Sequence, residues 1–430
     1  VTTTEPAGSI LGFLPDDAEE ALLIARVSDP GRAAPAVAVV RGDALVDVSS
    51  VSATVSDLLD LGDVHGALGG ADPAARSWEL DDVLHASLAR DPSRPRLLAP
   101  IDLQVVKACG VTFADSLLER VIEERAGGDP SAADAIRERV ADAIGRELDR
   151  VRPGSPEAME LKEALVAEGL WSQYLEVGIG PDPEVFTKAP VLSSVGFGAQ
   201  VGVRRESRWN NPEPELVLVM DSRGTPVAAT LGNDVNLRDI EGRSALLLGS
   251  AKDNNASCAV GPFLRLFDAG FGLDRLRSET IGLRVEGADG FILEGTNALD
   301  RISRPFEELI AAVCGAHHQY PDGFALFTGT LFAPVQDRGV DGRGFTHRVG
   351  DRVTISSPAL GSLVNTVGIS EQLEPWTFGV RSLIAALAAD SAARSPSHDP
   401  TSGGRDAVSP PTDDLTTPGR RDAPPRSGMQ

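Results

Sequence analysis

Apolar positions in the first hundred residues come in short blocks rather than at helical spacing. Residues 22–27 (LLIARV), 36–41 (AVAVVR) and 44–48 (ALVDV) read as strands, the last two joined through an Arg41-Gly42-Asp43 turn. Residues 56–61 and 81–89 read as short helices, and Pro92-Ser93-Arg94-Pro95 punctuates a boundary. A helical section follows at 116–125, 131–148 and 156–169. Beyond it lie many short strand patterns separated by Gly, Pro and Asp turns. Few long helices intervene, so the chain predicts an α+β, β-rich fold rather than a doubly wound sheet. The expected division is a small N-terminal α/β domain at 1–98, a main domain at 99–390 and a tail at 391–430. Pro, Ser, Asp, Gly and Arg dominate the tail, which predicts disorder.

Composition narrows the function. At 430 residues, two structural units are the default expectation. A net charge of −23 argues against nucleic-acid binding, and it obliges any anionic substrate to find a local positive centre. Cys109, Cys258 and Cys314 are few and widely spaced, as expected of small core residues in a reduced compartment. No apolar run approaches a membrane span, and the first residues lack a basic region followed by an apolar stretch. The expectation is a cytoplasmic protein with no membrane and no nucleic-acid partner.

The densest chemistry runs from Asn210 to Asp234, NNPEPELVLVMDSRGTPVAATLGND. Glu213 and Glu215 are two apart at the start of an apolar run, so an extended strand projects both to one face. Asp221-Ser222-Arg223-Gly224 is a turn, and residues 227–231 can return antiparallel to deliver Asp234 to the same end. Three converging carboxylates repel unless a cation sits among them, and all-oxygen ligands favour Mg²⁺, with Mn²⁺ an alternative. The spacing equally suits a solvated strand start in an acid-rich chain. Spacing alone leaves both readings open.

Further residues follow in order: Asn236-Leu237-Arg238-Asp239-Ile240-Glu241-Gly242-Arg243, then Lys252-Asp253-Asn254-Asn255, and much later Thr328-Gly329-Thr330. Glu-x-Glu, an Asp one hairpin later, a Lys one helix after that and a distal Gly-Thr resemble the fumarylacetoacetate hydrolase superfamily. The strings WSQYLEV, WNNPEPE, GNDVNLRDIEGRSALLL, AKDNNASCA and HQYPDGFALF resemble its branch of bacterial 2-keto-3-deoxy-D-xylonate (D-arabinonate) dehydratases.

The resemblance implies a mixed β-sandwich or roll core and a Mg²⁺ ion on Glu213, Glu215 and Asp234. It implies a small-molecule 2-keto acid substrate, chelated through its carboxylate and keto oxygens, and a homodimer or homotetramer. A cation on the keto oxygen would stabilise an enolate, and loss of a C4 hydroxyl would complete dehydration to 2,5-dioxopentanoate in oxidative pentose catabolism. A metal-dependent hydrolase or decarboxylase of acylpyruvate-type keto acids is the alternative. Hydrolases of the family carry Asn-Tyr-x-x-His-x-x-Glu. The matching stretch runs from Thr112 to Glu119, with Ser116 at the histidine's place and Glu119 retained. Serine cannot act as the neutral-pH base that histidine is, which favours elimination.

Single residues carry two readings each. Glu119, three residues from Ser116 on one helix face, is either the proton carrier or part of a solvated face with Arg120, Glu123 and Glu124. Lys252 is either a surface residue or, by the resemblance, a partner of the substrate carboxylate or a base. Gly329 and Thr330 would bind the carboxylate, or form an ordinary turn. Arg204, His318 and Gln319 are expected to line the substrate pocket, and Asn236 and Arg238 to support Asp234.

Overall fold

The structure, a computed structural model, describes residues 12–70, 75–133, 136–137, 151–167, 169, 171–331, 334–339 and 344–394. Most of the helix expected at 131–148, and the tail from 395 onward, lie outside the described residues.

The strand Pro214–Met220 is buried at every position, because it lies inside a sheet covered on both faces. Leu216, Leu218 and Met220 join one apolar cluster and Val217 and Val219 another, the alternation that an extended chain imposes. Each buried leucine contributes roughly 2 kcal/mol of transfer free energy. The hairpin partner Pro226–Asp234 runs antiparallel, with Glu215 opposite Gly232 and Pro214 opposite Asn233.

Across the large sheet the order is Ser77–Glu79, Ala44–Asp47, Ala36–Arg41, Leu23–Ser28, Cys258–Leu266, Pro226–Asp234, Pro214–Met220, Phe324–Phe327, Val105–Gly110 and Glu184–Ala189. Leu23–Ser28 pairs directly with Cys258–Leu266, so the segments on either side of residue 98 share one sheet. On one face Val55, Leu58 and Leu59 of the helix Val55–Leu59 belong to the same apolar cluster as Val217 and Val219. The other face meets a five-stranded sheet of Ile292–Ala298, Thr280–Glu286, Arg352–Ser357, Gly361–Ile369 and Gln200–Val203. Two stacked sheets with flanking helices make the expected α+β, β-rich class.

A third apolar cluster is helical. Leu117, Val121 and Ile122 of the helix Ala114–Arg125 pack with Leu165, Tyr174, Leu175 and Ile179. Trp209, just before the Glu-x-Glu strand, joins them. This cluster seats a helical cap beside the ends of the strands that carry the carboxylates. The C-terminal helix Val380–Arg394 continues four residues past the point where the sequence predicts disorder. Cys109 and Cys258 are buried and Cys314 is half-buried, all free thiols. No helix among the described residues is long and apolar enough to cross a membrane.

Candidate active site

The hairpin register brings Glu213, Glu215 and Asp234 together, with one carboxylate oxygen from each lying within 4.8 Å of the others. All three are buried. They line a cavity of about 20 Å³ with Cys109, Gly110, Val111, Ser116, Arg120, Glu184, Phe186, Glu241, Lys252, Gly329 and Thr330.

Two lysines hold the triad. Lys252, at the end of the helix Leu248–Lys252, contacts Glu213 Oε2 and lies 3.2 Å from Asp234 Oδ2. Burial works against its charge, but Asp234 and Glu213 outweigh burial and raise its pKa. Lys188, fully buried, lies 2.8 Å from Asp234 Oδ1 and donates to the carbonyls of Val235 and Lys252. Burial likewise opposes the Asp234 charge, and Lys188 and Lys252 bring its pKa below the ordinary value. Glu215 has no such partner among the described residues and accepts one backbone N–H, from Gly329 at 2.6 Å. Burial, then Asp234 and Glu213, push its pKa well up. A buried all-oxygen triad whose third member is destabilised as an anion fits a hard divalent cation.

Arg120 enters from the cap helix. Its guanidinium contacts Glu213 Oε1, lies 2.6 Å from Glu123 Oε2 and 2.9 Å from Glu241 Oε2. Ser116, one turn earlier, donates to the Phe113 carbonyl at 2.9 Å and lines the cavity. Glu184 faces it from the neighbouring strand, opposite Gly110. A Cβ on Gly110 would come within 1.9 Å of the Glu184 carboxylate, so the glycine makes room for that group. Burial and then the Glu241 charge raise Glu184 to about 7, which places its protonation in the range where a general base works.

Several expectations are redrawn by this geometry. Glu213, Glu215, Asp234, Lys252, Ser116, Gly329 and Thr330 meet in one cavity. Glu119 does not line it. Its carboxylate is held at 2.9 Å by both Arg137 Nε and Nη2, and Arg238 Nη2 lies at 3.2 Å. One helix turn beyond Ser116, the residue on the inward face is Arg120, not Glu119. The lysine's raised pKa opposes a base role for Lys252 and suits an anion-binding one. Arg204 points elsewhere, pairing with Glu206 and reaching the Ser250 carbonyl at 3.5 Å. His318 and Gln319 are exposed, in a segment packed near the far end of the hairpin, where Cys314 Sγ approaches Gly224. The strand carries them roughly 20 Å from Glu215, at about 3.4 Å per residue. Arg238 and Asn236 are buried behind the triad, with Arg238 bonded to Glu123 at 2.6 Å and stacked 4.2 Å over Trp209.

Sequence reasoning passed over Glu184, Glu241, Lys188 and the inward role of Arg120. Arg120 had a signal, its i+4 spacing from Ser116. Glu184 and Lys188 had none, since only the pairing of Glu184–Ala189 with Val105–Gly110 brings them in.

No protein-family model matches the chain. The 2-dehydro-3-deoxy-D-arabinonate dehydratase of Saccharolobus solfataricus is 32% identical over 185 residues, 43% of this chain and 58% of that protein. A probable 2-keto-3-deoxyxylonate dehydratase of Haloferax volcanii is 31% identical over 194 residues, 45% of this chain and 63% of that protein. The match thus spans about three fifths of each curated relative. Among solved structures, 2-keto-3-deoxy-D-arabinonate dehydratase in its apo form superposes with a TM-score of 0.57 at 21% identity, covering 81% of this chain and 99% of that one. The form complexed with magnesium and 2,5-dioxopentanoate gives 0.56 at 22% identity, covering 81% and 99%. These superpositions establish a shared fold.

Proposed function

We propose that the chain is a member of the fumarylacetoacetate hydrolase superfamily and a Mg²⁺-dependent hydro-lyase that dehydrates a 2-keto-3-deoxypentonate to 2,5-dioxopentanoate. The observation that carries the reading is the buried triad sharing one cavity with a carboxyl group poised near neutrality, Glu184. The names of the two curated relatives support the substrate class.

Glu213, Glu215 and Asp234 would hold the ion, which supplies Lewis-acid polarisation of a keto oxygen. Lys252 and the Gly329-Thr330 segment border the same cavity and would receive the substrate carboxylate. Glu184 takes the C3 proton, and the electron pair left on carbon forms the C3–C4 double bond as the C4–O bond breaks. The departing hydroxide recovers a proton from Glu184 and leaves as water. The unsaturated alcohol that remains tautomerises to the semialdehyde.

The test is turnover of 2-keto-3-deoxy-D-xylonate by the purified protein with and without Mg²⁺, coupled to oxidation of the aldehyde. Mg²⁺-dependent product, lost in Glu215→Gln, is the expected result. No product, together with pyruvate release from an acylpyruvate, would replace the dehydratase reading with a hydrolase one.

A further inference from the structure

The cavity holds about 20 Å³, room for about one water molecule. A five-carbon keto acid does not fit among these side chains as they stand. One wall is the helix Ala114–Arg125, which contributes Ser116 and Arg120. That helix is fastened by buried ion pairs. Arg238 lies 2.6 Å from Glu123 and 3.2 Å from Glu119, fixing the helix to the turn after Asp234. Arg120 adds the second fastening. It bridges Glu123 on its own helix to Glu241 on that turn and to Glu213 in the triad.

Arg120 therefore shares a carboxylate with the site proposed to take the ion. A guanidinium and a divalent cation both draw on the Glu213 charge, and two cations on one carboxylate repel. We propose that Arg120 is a positioning residue that links metal binding to the seating of the cap: ion and guanidinium compete for Glu213, so binding of the ion loosens the helix Ala114–Arg125 and admits the substrate. This inference rests on the triad's holding a divalent ion. Glu123 and Glu241 keep Arg120 charged and near when Glu213 is drawn away, so the helix is loosened rather than released.

The experiment measures Mg²⁺ affinity by calorimetry and amide exchange of the 114–125 segment by mass spectrometry. The full-length wild type is compared with Arg120→Gln and Glu215→Gln. Removing a competing cation should tighten Mg²⁺ binding at least about tenfold in Arg120→Gln, whereas a merely structural role would weaken it. In the wild type, Mg²⁺ should speed exchange in the cap helix; in Arg120→Gln it should leave exchange unchanged. Weaker or equal Mg²⁺ affinity in Arg120→Gln, or a wild-type cap that Mg²⁺ protects, overturns the linkage while leaving the metal site standing. If the wild type binds no Mg²⁺, or Glu215→Gln binds it equally well, the metal reading falls and this inference with it. Should Arg120→Gln fail to fold, Arg120→Met carries the same comparison, because it removes the competing charge while keeping a long apolar stem in the helix.

Discussion

Glu215 and Gly329 fix each other. The Gly329 N–H donates to Glu215 Oε2 at 2.6 Å while Gly329 holds a left-handed φ of +93°. A Cβ at that position would stand 2.0 Å from Thr112 Oγ1, whose hydroxyl is itself committed to the Thr328 carbonyl at 2.8 Å. The loop between the strand Phe324–Phe327 and Thr330 thus aims one backbone donor at one carboxylate oxygen.

Gly329→Ala should cost about 1–3 kcal/mol of stability through the disfavoured conformation and the clash. It should also weaken Mg²⁺ binding, because Glu215 loses the donor that orients it. Denaturant unfolding and Mg²⁺ titration of the variant check both. A variant of wild-type stability with wild-type Mg²⁺ affinity would show that the loop adapts freely and that the Gly329 donor does not set the carboxylate.

Glu184 gives a pH prediction. A base must be deprotonated to act, so turnover should rise with pH through about 7, the value to which burial and Glu241 push this carboxyl. Glu184→Gln should lower kcat by about 10²- to 10⁴-fold and remove that limb from the residual profile. Mg²⁺ binding should survive, since Glu184 is outside the triad. Near-normal kcat in Glu184→Gln would assign the proton to another group.

The sequence made the hairpin legible because its signals are local. Glu213 and Glu215 sit two apart, an apolar run follows, Asp221-Ser222-Arg223-Gly224 turns, and strand register then delivers Asp234. Lys252 and Gly329-Thr330 were reached only through resemblance, since nothing near them in the chain announces chemistry. Glu184 and Lys188 stayed hidden for a physical reason: their approach depends on pairing between strands 74 or more residues apart, as in Gly110 with Glu184. The direction of Glu119 was lost differently. Three-residue spacing puts it near Ser116, but Arg137 and Arg238 supply two cations on the outer side, and the carboxylate follows them.

Asp351 anchors the segment that returns from Thr330 to the second sheet. Arg338 grips it at 2.5 and 2.8 Å, His347 Nδ1 lies at 3.3 Å and the Arg348 N–H donates at 2.8 Å. Burial opposes its charge, but His347 and Arg338 prevail, and its pKa falls to about 2. A depressed carboxylate pKa stabilises the fold fully above the unfolded value and loses that contribution as pH drops through the folded one. The expected loss is about 1–2 kcal/mol between roughly pH 5 and pH 2. Asp351→Asn should show a flatter stability profile over that window in urea unfolding. Parallel profiles would remove Asp351 from the acid response.

Glu119 separates the sequence expectation from the geometry. If it serves the chemistry, Glu119→Gln should lower kcat by about 10²-fold or more with little change in stability. The structure predicts the reverse. The carboxylate meets two arginines and lies outside the cavity, so the neutral variant leaves Arg137 and Arg238 short of a counter-charge and should cost about 1–3 kcal/mol. Turnover at saturating substrate should stay within about tenfold of wild type, a loss smaller than the range expected of a general base. Parallel measurement of kcat and of the urea midpoint decides the matter. A collapse in kcat at unchanged midpoint would mean that the cap helix turns as substrate enters, bringing Glu119 inward and displacing Glu184 from the role of base.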